Sequence, residues 1–296
     1  MRLPGMLGMM GLLILLAATA LPARAAEVVK VGSKRFTESY VLAEIARQTL
    51  QRAGVEAEHR QGLGNTAILE QALRTGQIDL YPEYTGTILR ELLGRTMPAG
   101  APAPTLAELN AWLAPRGLMA TVPLGFDNTY AIAVRRDFAE KHNLEKVSDL
   151  VPLAPNLTIA TDADFLHREE VMSFTNFTRT YGLKFKKAVA MTYGLMYRAA
   201  YVGDVDVIMA YSSDGRIAAM DLKLLEDDLQ FFPPYDAILI VRNETLAKYP
   251  ELEPVLNLLT GRIDQEAIQR MNARADVEGH DLKVIAEDFL KEQGLI

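Results

Sequence analysis

The chain has 296 residues, 49% of them apolar, with 31 Lys and Arg against 38 Asp and Glu for a formal net charge of −7. That length suits one large domain or two ordinary ones with real cores, and the acidic balance argues against a dedicated nucleic-acid binder, which displaces phosphate counterions with clustered positive charge. There is no cysteine, so disulfides, thiolate zinc sites, thiol nucleophiles and a lipid-anchored N-terminal Cys are excluded together.

Residues 1–25 read as a cleaved export signal: Arg2, an apolar run from Met6 to Ala20, then Ala23-Arg24-Ala25 as an A-x-A processing site. The apolar run, at roughly 15 residues, is short against the ~20 that a spanning helix needs. The expected product is a free periplasmic monomer. Nucleotide cofactors are scarce outside the cytoplasm, so none is expected, and the Asn-x-Thr matches at Asn156, Asn176 and Asn243 are read as chance.

Val28-Val-Lys-Val-Gly opens the mature chain as a strand, and 36–52 follows as a helix with Val41, Leu42, Ile45 and Leu50 on one face. Residues 55–60 alternate as a second strand. Gly62-Leu-Gly-Asn-Thr then opens a helix carrying Ile68, Leu69, Ala72 and Leu73, and Ile78-Asp-Leu-Tyr is a third strand. This β-α-β-α-β order implies α/β architecture with a parallel sheet. The Pro-rich stretch 98–104 suits neither helix nor central strand and reads as a surface loop.

A second series follows, with strands at Tyr130-Ala-Ile-Ala-Val, Leu157-Thr-Ile-Ala, Ala188-Val-Ala-Met and Val205-Asp-Val-Ile-Met-Ala. Ala237-Ile-Leu-Ile-Val is again an apolar strand. The tail 251–290 is helical, with Val284, Ile285, Phe289 and Leu290 at core spacing. Two passages resemble each other: Phe126-Asp-Asn-Thr-Tyr before one apolar strand, Phe232-Pro-Pro-Tyr-Asp before another, each strand ending in Arg. Their separation of about a hundred residues matches one small α/β domain. They read as two crossings between lobes, giving a discontinuous first lobe (26–129 plus 233–296) and an inserted second lobe (130–232).

Enzymatic chemistry has little support. No G-x-S-x-G elbow occurs, and His59, His142, His167 and His280 do not sit at metal-ligand spacing, so no metal site is expected. Gly62-Leu-Gly-Asn-Thr-Ala matches the dinucleotide loop pattern, but Asp79 lies inside its strand and does not end it, so the loop reads as a glycine turn feeding a helix. A secreted hydrolase or dinucleotide-dependent enzyme using the same cleft remains the alternative, and it would need a nucleophile–base pair that the sequence does not display.

The tyrosines are more informative. Tyr84 and Tyr211 each lie at the C-terminal end of a predicted strand, where open α/β sheets bind ligands. Tyr130 and Tyr235 sit at the two crossings. Four such rings suit a quaternary ammonium, which has no N–H to donate and is held by negative aromatic faces. At ~0.5–2 kcal/mol per face they supply roughly 2–8 kcal/mol, against about 8 for micromolar binding, so a second anchor is required. Lys34, Thr87 and Arg168 are the candidates, an Arg fork fitting a carboxylate geometrically.

At these residues the chain resembles the substrate-binding proteins of ABC importers for glycine betaine, choline, carnitine and related compatible solutes. The matching stretches are Val31-Gly-Ser-Lys-Arg-Phe-Thr-Glu, Gly62-Leu-Gly-Asn-Thr, Ile78-Asp-Leu-Tyr-Pro-Glu-Tyr-Thr-Gly-Thr, Asp127-Asn-Thr-Tyr-Ala, Asp206-Val-Ile-Met-Ala-Tyr-Ser-Ser-Asp-Gly and Phe231-Phe-Pro-Pro-Tyr-Asp-Ala. The resemblance implies a bilobal periplasmic-binding-protein fold of type II, with two α/β lobes joined by two crossover strands. It also implies a cage of Tyr84, Tyr130, Tyr211 and Tyr235 for the trimethylammonium group, and Lys34, Thr87 and Arg168 at the carboxylate. The implied ligand is glycine betaine, choline, carnitine or an ergothioneine-like compound, and the implied partner is a membrane permease. The family continues after the arginine with an acidic-Gly-aromatic-Pro-Gly run, where this chain has Glu169-Glu170-Val171-Met172-Ser173.

Overall fold

The computed structural model describes residues 28–95, 103–121, 123–167 and 172–296; the predicted signal, most of the 98–104 loop and Arg168 lie outside them. The first apolar runs form β1 (Val29–Lys34), β2 (Ala57–Gly64), β3 (Leu80–Tyr84) and β4 (Leu118–Ala120). The second series forms β5 (Tyr130–Arg135), β6 (Thr158–Thr161), β7 (Lys187–Ala190), β8 (Val207–Tyr211) and β9 (Leu222–Leu225), and the chain returns through β10 (Ala237–Arg242). They make two five-stranded sheets, ordered β2-β1-β3-β10-β4 and β7-β6-β8-β5-β9. The fold is bilobal α/β, one lobe around each sheet.

The expected parallel pairing holds for β2-β1-β3 and for β7-β6-β8. The sheets are nonetheless mixed, because β10 runs antiparallel to β3 and β4, and β5 antiparallel to β8 and β9. β10 and β5 are the strands that arrive from the other lobe, so no crossover helix sets their direction. The similarity of the two crossing passages follows: each delivers the fourth strand of a sheet. The crossings pair with each other at Asp127 and Asp236, and the Thr129 hydroxyl donates to the Pro233 carbonyl at 2.8 Å.

Helices cover both sheets. The helix Thr37–Arg52 buries Val41, Leu42, Ile45 and Leu50 against β1 and the C-terminal helix Leu282–Glu292. Fully burying each such side chain contributes about 1.5–3 kcal/mol. Asn65 caps Thr66–Arg74 by accepting from the Ile68 amide at 3.2 Å. Two expected core positions are in fact exposed, Ile68 at 51% and Val284 at 48%. Each helix turns a neighbouring residue inward instead: Leu69 in the first, Ile285 and Phe289 in the second. The predicted helical tail is broken into Leu252–Leu256, Gln265–Asp276 and Leu282–Glu292. Among the described residues, no helix is long and apolar enough to cross a membrane.

The lobes touch beyond the crossings. The short helix Gly215–Ala219 of the second lobe lies on Gln265–Asp276 of the first. A Cβ on Gly215 would stand 2.3 Å from the Ala273 nitrogen, so only glycine permits this backbone-on-backbone approach. Gln269 Nε2 donates to the Ser212 carbonyl at 2.7 Å and Asn272 Nδ2 to the Ser213 carbonyl at 2.9 Å, fixing the same contact.

Candidate functional site

Tyr130 begins β5 and Tyr211 ends β8, and the antiparallel register sets them directly opposite. Their rings stack at 5.2 Å between centroids and 21° between planes. Tyr193, at the start of the helix Tyr193–Val202, brings its ring to 4.8 Å from that of Tyr211. The Tyr193 hydroxyl is 3.1 Å from Asp162 Oδ2 and 3.2 Å from the Tyr211 hydroxyl. Behind them, the buried Tyr197 hydroxyl accepts the Tyr211 amide at 3.2 Å, and the Arg216 guanidinium covers the Tyr197 ring at 4.3 Å. Burial and the neighbouring Tyr211 push the Tyr130 phenol up to about 12, so it stays a neutral donor at neutral pH.

In the first lobe, Tyr84 ends β3 and is nearly fully buried. Its hydroxyl donates to Glu38 Oε1, and the Lys34 ammonium lies 5.3 Å from its ring centroid. Lys34 itself pairs with Glu83, a carboxylate with 0% of its side chain exposed. Burial pushes the Glu83 carboxyl up, and the Lys34 charge and hydrogen bond oppose that. Lys34 is therefore half of a buried pair. Thr87, also buried, closes the helical turn Thr85–Thr87 after β3. Tyr235 packs its ring onto that turn: a Cβ on Gly86 would lie 2.7 Å from three Tyr235 ring carbons.

Glu38, which sequence reasoning passed over, joins these parts. Besides Tyr84 it accepts from Asn128 Nδ2 at 3.0 Å and Asn272 Nδ2 at 2.8 Å, with a further hydrogen bond from the Ser213 side chain. Burial raises its carboxyl, and these four bonds oppose the shift. A groove of about 510 Å³ between the lobes is lined by Phe36, Glu38, Asn128, Tyr211, Ser213 and Asn272. The structure thus stacks Tyr130 with Tyr211 in one lobe and places Tyr84 and Tyr235 in the other, with Glu38 and Tyr211 sharing the hollow. Arg168 lies outside the described residues. Tyr193 was missed although the strand-end rule that picked out Tyr84 and Tyr211 applies to it equally, because it stands just beyond β7.

A nucleophile–base–acid order does exist. The Ser33 hydroxyl is 2.8 Å from His59 Nε2, and His59 Nδ1 is 3.5 Å from Glu44 Oε2. Burial raises the Glu44 carboxyl, but hydrogen bonds from His59, Arg47 and Gln48 outweigh it and hold the group at about 2. Ser33 is fully buried and its oxygen also accepts the Gly62 amide at 3.1 Å. No substrate carbonyl can reach it, so the trio ties the end of β1 to the Gly62 turn of β2 and is not a hydrolytic centre.

Comparison with known proteins points to one family. Residues 27–292 match the family model described as the substrate binding domain of an ABC-type glycine betaine transport system. The chain is 35% identical over 269 residues to the carnitine transport binding protein OpuCC of Listeria monocytogenes, covering 90% of this chain and 87% of that one. It is 32% identical to the glycine betaine-binding protein YehZ of Escherichia coli over 96% of both. Among solved structures, a protein titled as a glycine betaine/carnitine/choline ABC transporter superposes with a TM-score of 0.84 at 33% identity, covering 90% of this chain and 99% of that one. Apo YehZ superposes with a TM-score of 0.83 at 31% identity, covering 92% and 100%.

Proposed function

The chain belongs to the family of substrate-binding domains of ABC-type glycine betaine transport systems, and from that premise we propose that it captures a quaternary ammonium compound between its lobes and hands it to the permease of an importer. It is a substrate-binding protein and its relatives are binding proteins, not enzymes. The observation that carries the finer reading is the shared hollow: the stacked Tyr211 and the Tyr84-bonded Glu38 face it from opposite lobes.

In this reading Tyr84, Tyr130, Tyr211 and Tyr235 surround the trimethylammonium group, with Tyr193 backing Tyr211. Thr87 and Arg168 take the carboxylate end, and Lys34 contributes by sharing its three donors between ligand and Glu83. The lobes run 26–129 plus 233–296 and 130–232, as sheet membership supports. Closure about the paired crossings buries the ligand and presents a surface for the permease. The mature protein acts outside the cytoplasmic membrane after loss of residues 1–25.

Calorimetric titration of the mature protein with glycine betaine, carnitine, choline and dimethylglycine tests the reading. Heat and a thermal shift are expected with at least one fully methylated ammonium compound, and weaker binding of dimethylglycine. Silence across the whole panel ends it.

A further inference from the structure

We propose that Glu38 is a specificity-determining residue of this cleft: its fixed negative charge makes the site read a full positive charge on the ligand, beyond the bulk of three methyl groups. This rests on the quaternary ammonium reading above and deepens it.

Three carboxylates line the groove, and of these Glu38 alone is buried; Asp276 is exposed and accepts from the Thr37 hydroxyl. Lys34 is paired with Glu83, and Asp214 with Arg216. Glu38 is held by neutral donors: the Tyr84 hydroxyl, Asn128 Nδ2 at 3.0 Å, Asn272 Nδ2 at 2.8 Å and the Ser213 side chain. An ionised carboxylate is acceptor-only with about four lone-pair sites, which these four partners fill. The polarity of the set is fixed from outside. Asn272 Nδ2 also donates to the Ser213 carbonyl at 2.9 Å, so its amide must turn the donor end toward Glu38, and its own Oδ1 is left buried without a partner. A carboxyl proton on Glu38 is excluded from the two amide contacts, which present N–H, and would have to reverse the hydroxyl of Tyr84 or Ser213.

A buried carboxylate held only by neutral dipoles is costly in the empty cleft, and an entering cation offsets that cost. Glu38 also acts through Tyr84. A phenol donating to an anion carries more electron density in its ring, which strengthens the face it offers a cation. Glu38 also lies in the first turn of the helix Thr37–Arg52, where the helix dipole favours a negative charge.

The test pairs choline with its uncharged isostere, the alcohol in which a tert-butyl group replaces trimethylammonium. Glu38→Gln is expected to lower affinity for the charged member by about tenfold or more, the loss of one near charge pair. The isostere should hold within about threefold, a shift no larger than the loss of one hydrogen bond. Equal loss for both members, or for neither, overturns the inference. Should Glu38→Gln not fold, the NMR shift of the Glu38 carboxyl carbon in the wild type decides. An ionised value at neutral pH in the ligand complex supports the proposal, and a protonated one overturns it. If the wild type binds no methylated ammonium compound, the transport reading fails and takes this inference with it; parallel loss in Glu38→Gln with wild-type binding intact defeats the inference alone.

Discussion

Lys34 illustrates how one side chain can be found from sequence and its circumstances missed. Its motif placed it at a strand end, but its partner Glu83 lies 49 positions away, on a strand whose pairing with β1 no local pattern announces. Both are buried in the fold. Lys34→Ala therefore strands a buried carboxylate and is expected to lower ligand-free stability by about 3–5 kcal/mol, read by urea unfolding. A lysine serving the ligand alone would leave that curve unchanged. Tyr211→Ala is expected to weaken binding by about 0.5–2 kcal/mol in calorimetry, one aromatic face's worth, with further loss as Tyr130 and Tyr193 lose their shared neighbour. The tyrosines were legible because the strand-end rule is positional. Glu38, Asn128 and Asn272 were not, because their meaning depends on three segments meeting.

At the level of elements, the parallel strands and their helices could be read from periodicity, while the antiparallel entry of β5 and β10 could not. Direction in a sheet depends on where the chain has come from, and these two strands come from the other lobe. Exposed Ile68 and Val284 mark the same limit: hydropathy alone does not fix which of two adjacent apolar residues faces inward. One glycine carries an element-level consequence. At Gly215 a methyl would meet the Ala273 nitrogen at 2.3 Å and the Asn272 carbonyl carbon at 2.6 Å, both main-chain atoms that cannot step aside. Gly215→Ala is expected to cost about 1–3 kcal/mol in thermal unfolding by prising the two helices apart. Unchanged stability would mean that the contact is looser than it stands here.

For the whole molecule, the crossings bring Asp127 and Asp236 side by side at the pivot between lobes. Burial, then the neighbouring Asp236 charge, raises the Asp127 carboxyl; burial alone raises that of Asp236. A carboxyl raised in the folded state binds its proton more tightly there than in the unfolded chain. Its contribution is complete below the unfolded value and is lost as pH rises through the folded one. Asp236→Asn is thus expected to be more stable than wild type at neutral pH and to lose that margin as pH falls through the raised folded value toward the ordinary aspartate value of 3.8, below which it is gone, followed by urea unfolding across the range. The two-lobed plan itself was visible in the duplicated crossing passages, since each repeats the same task. The contact between Gly215–Ala219 and Gln265–Asp276 had no such signature, yet it reaches furthest. The ten described strands are complete by Arg242, so the polypeptide has spelled out both sheets before it supplies the helix that holds one lobe against the other. The jaw's bite thus rests on residues that follow both sheets along the chain.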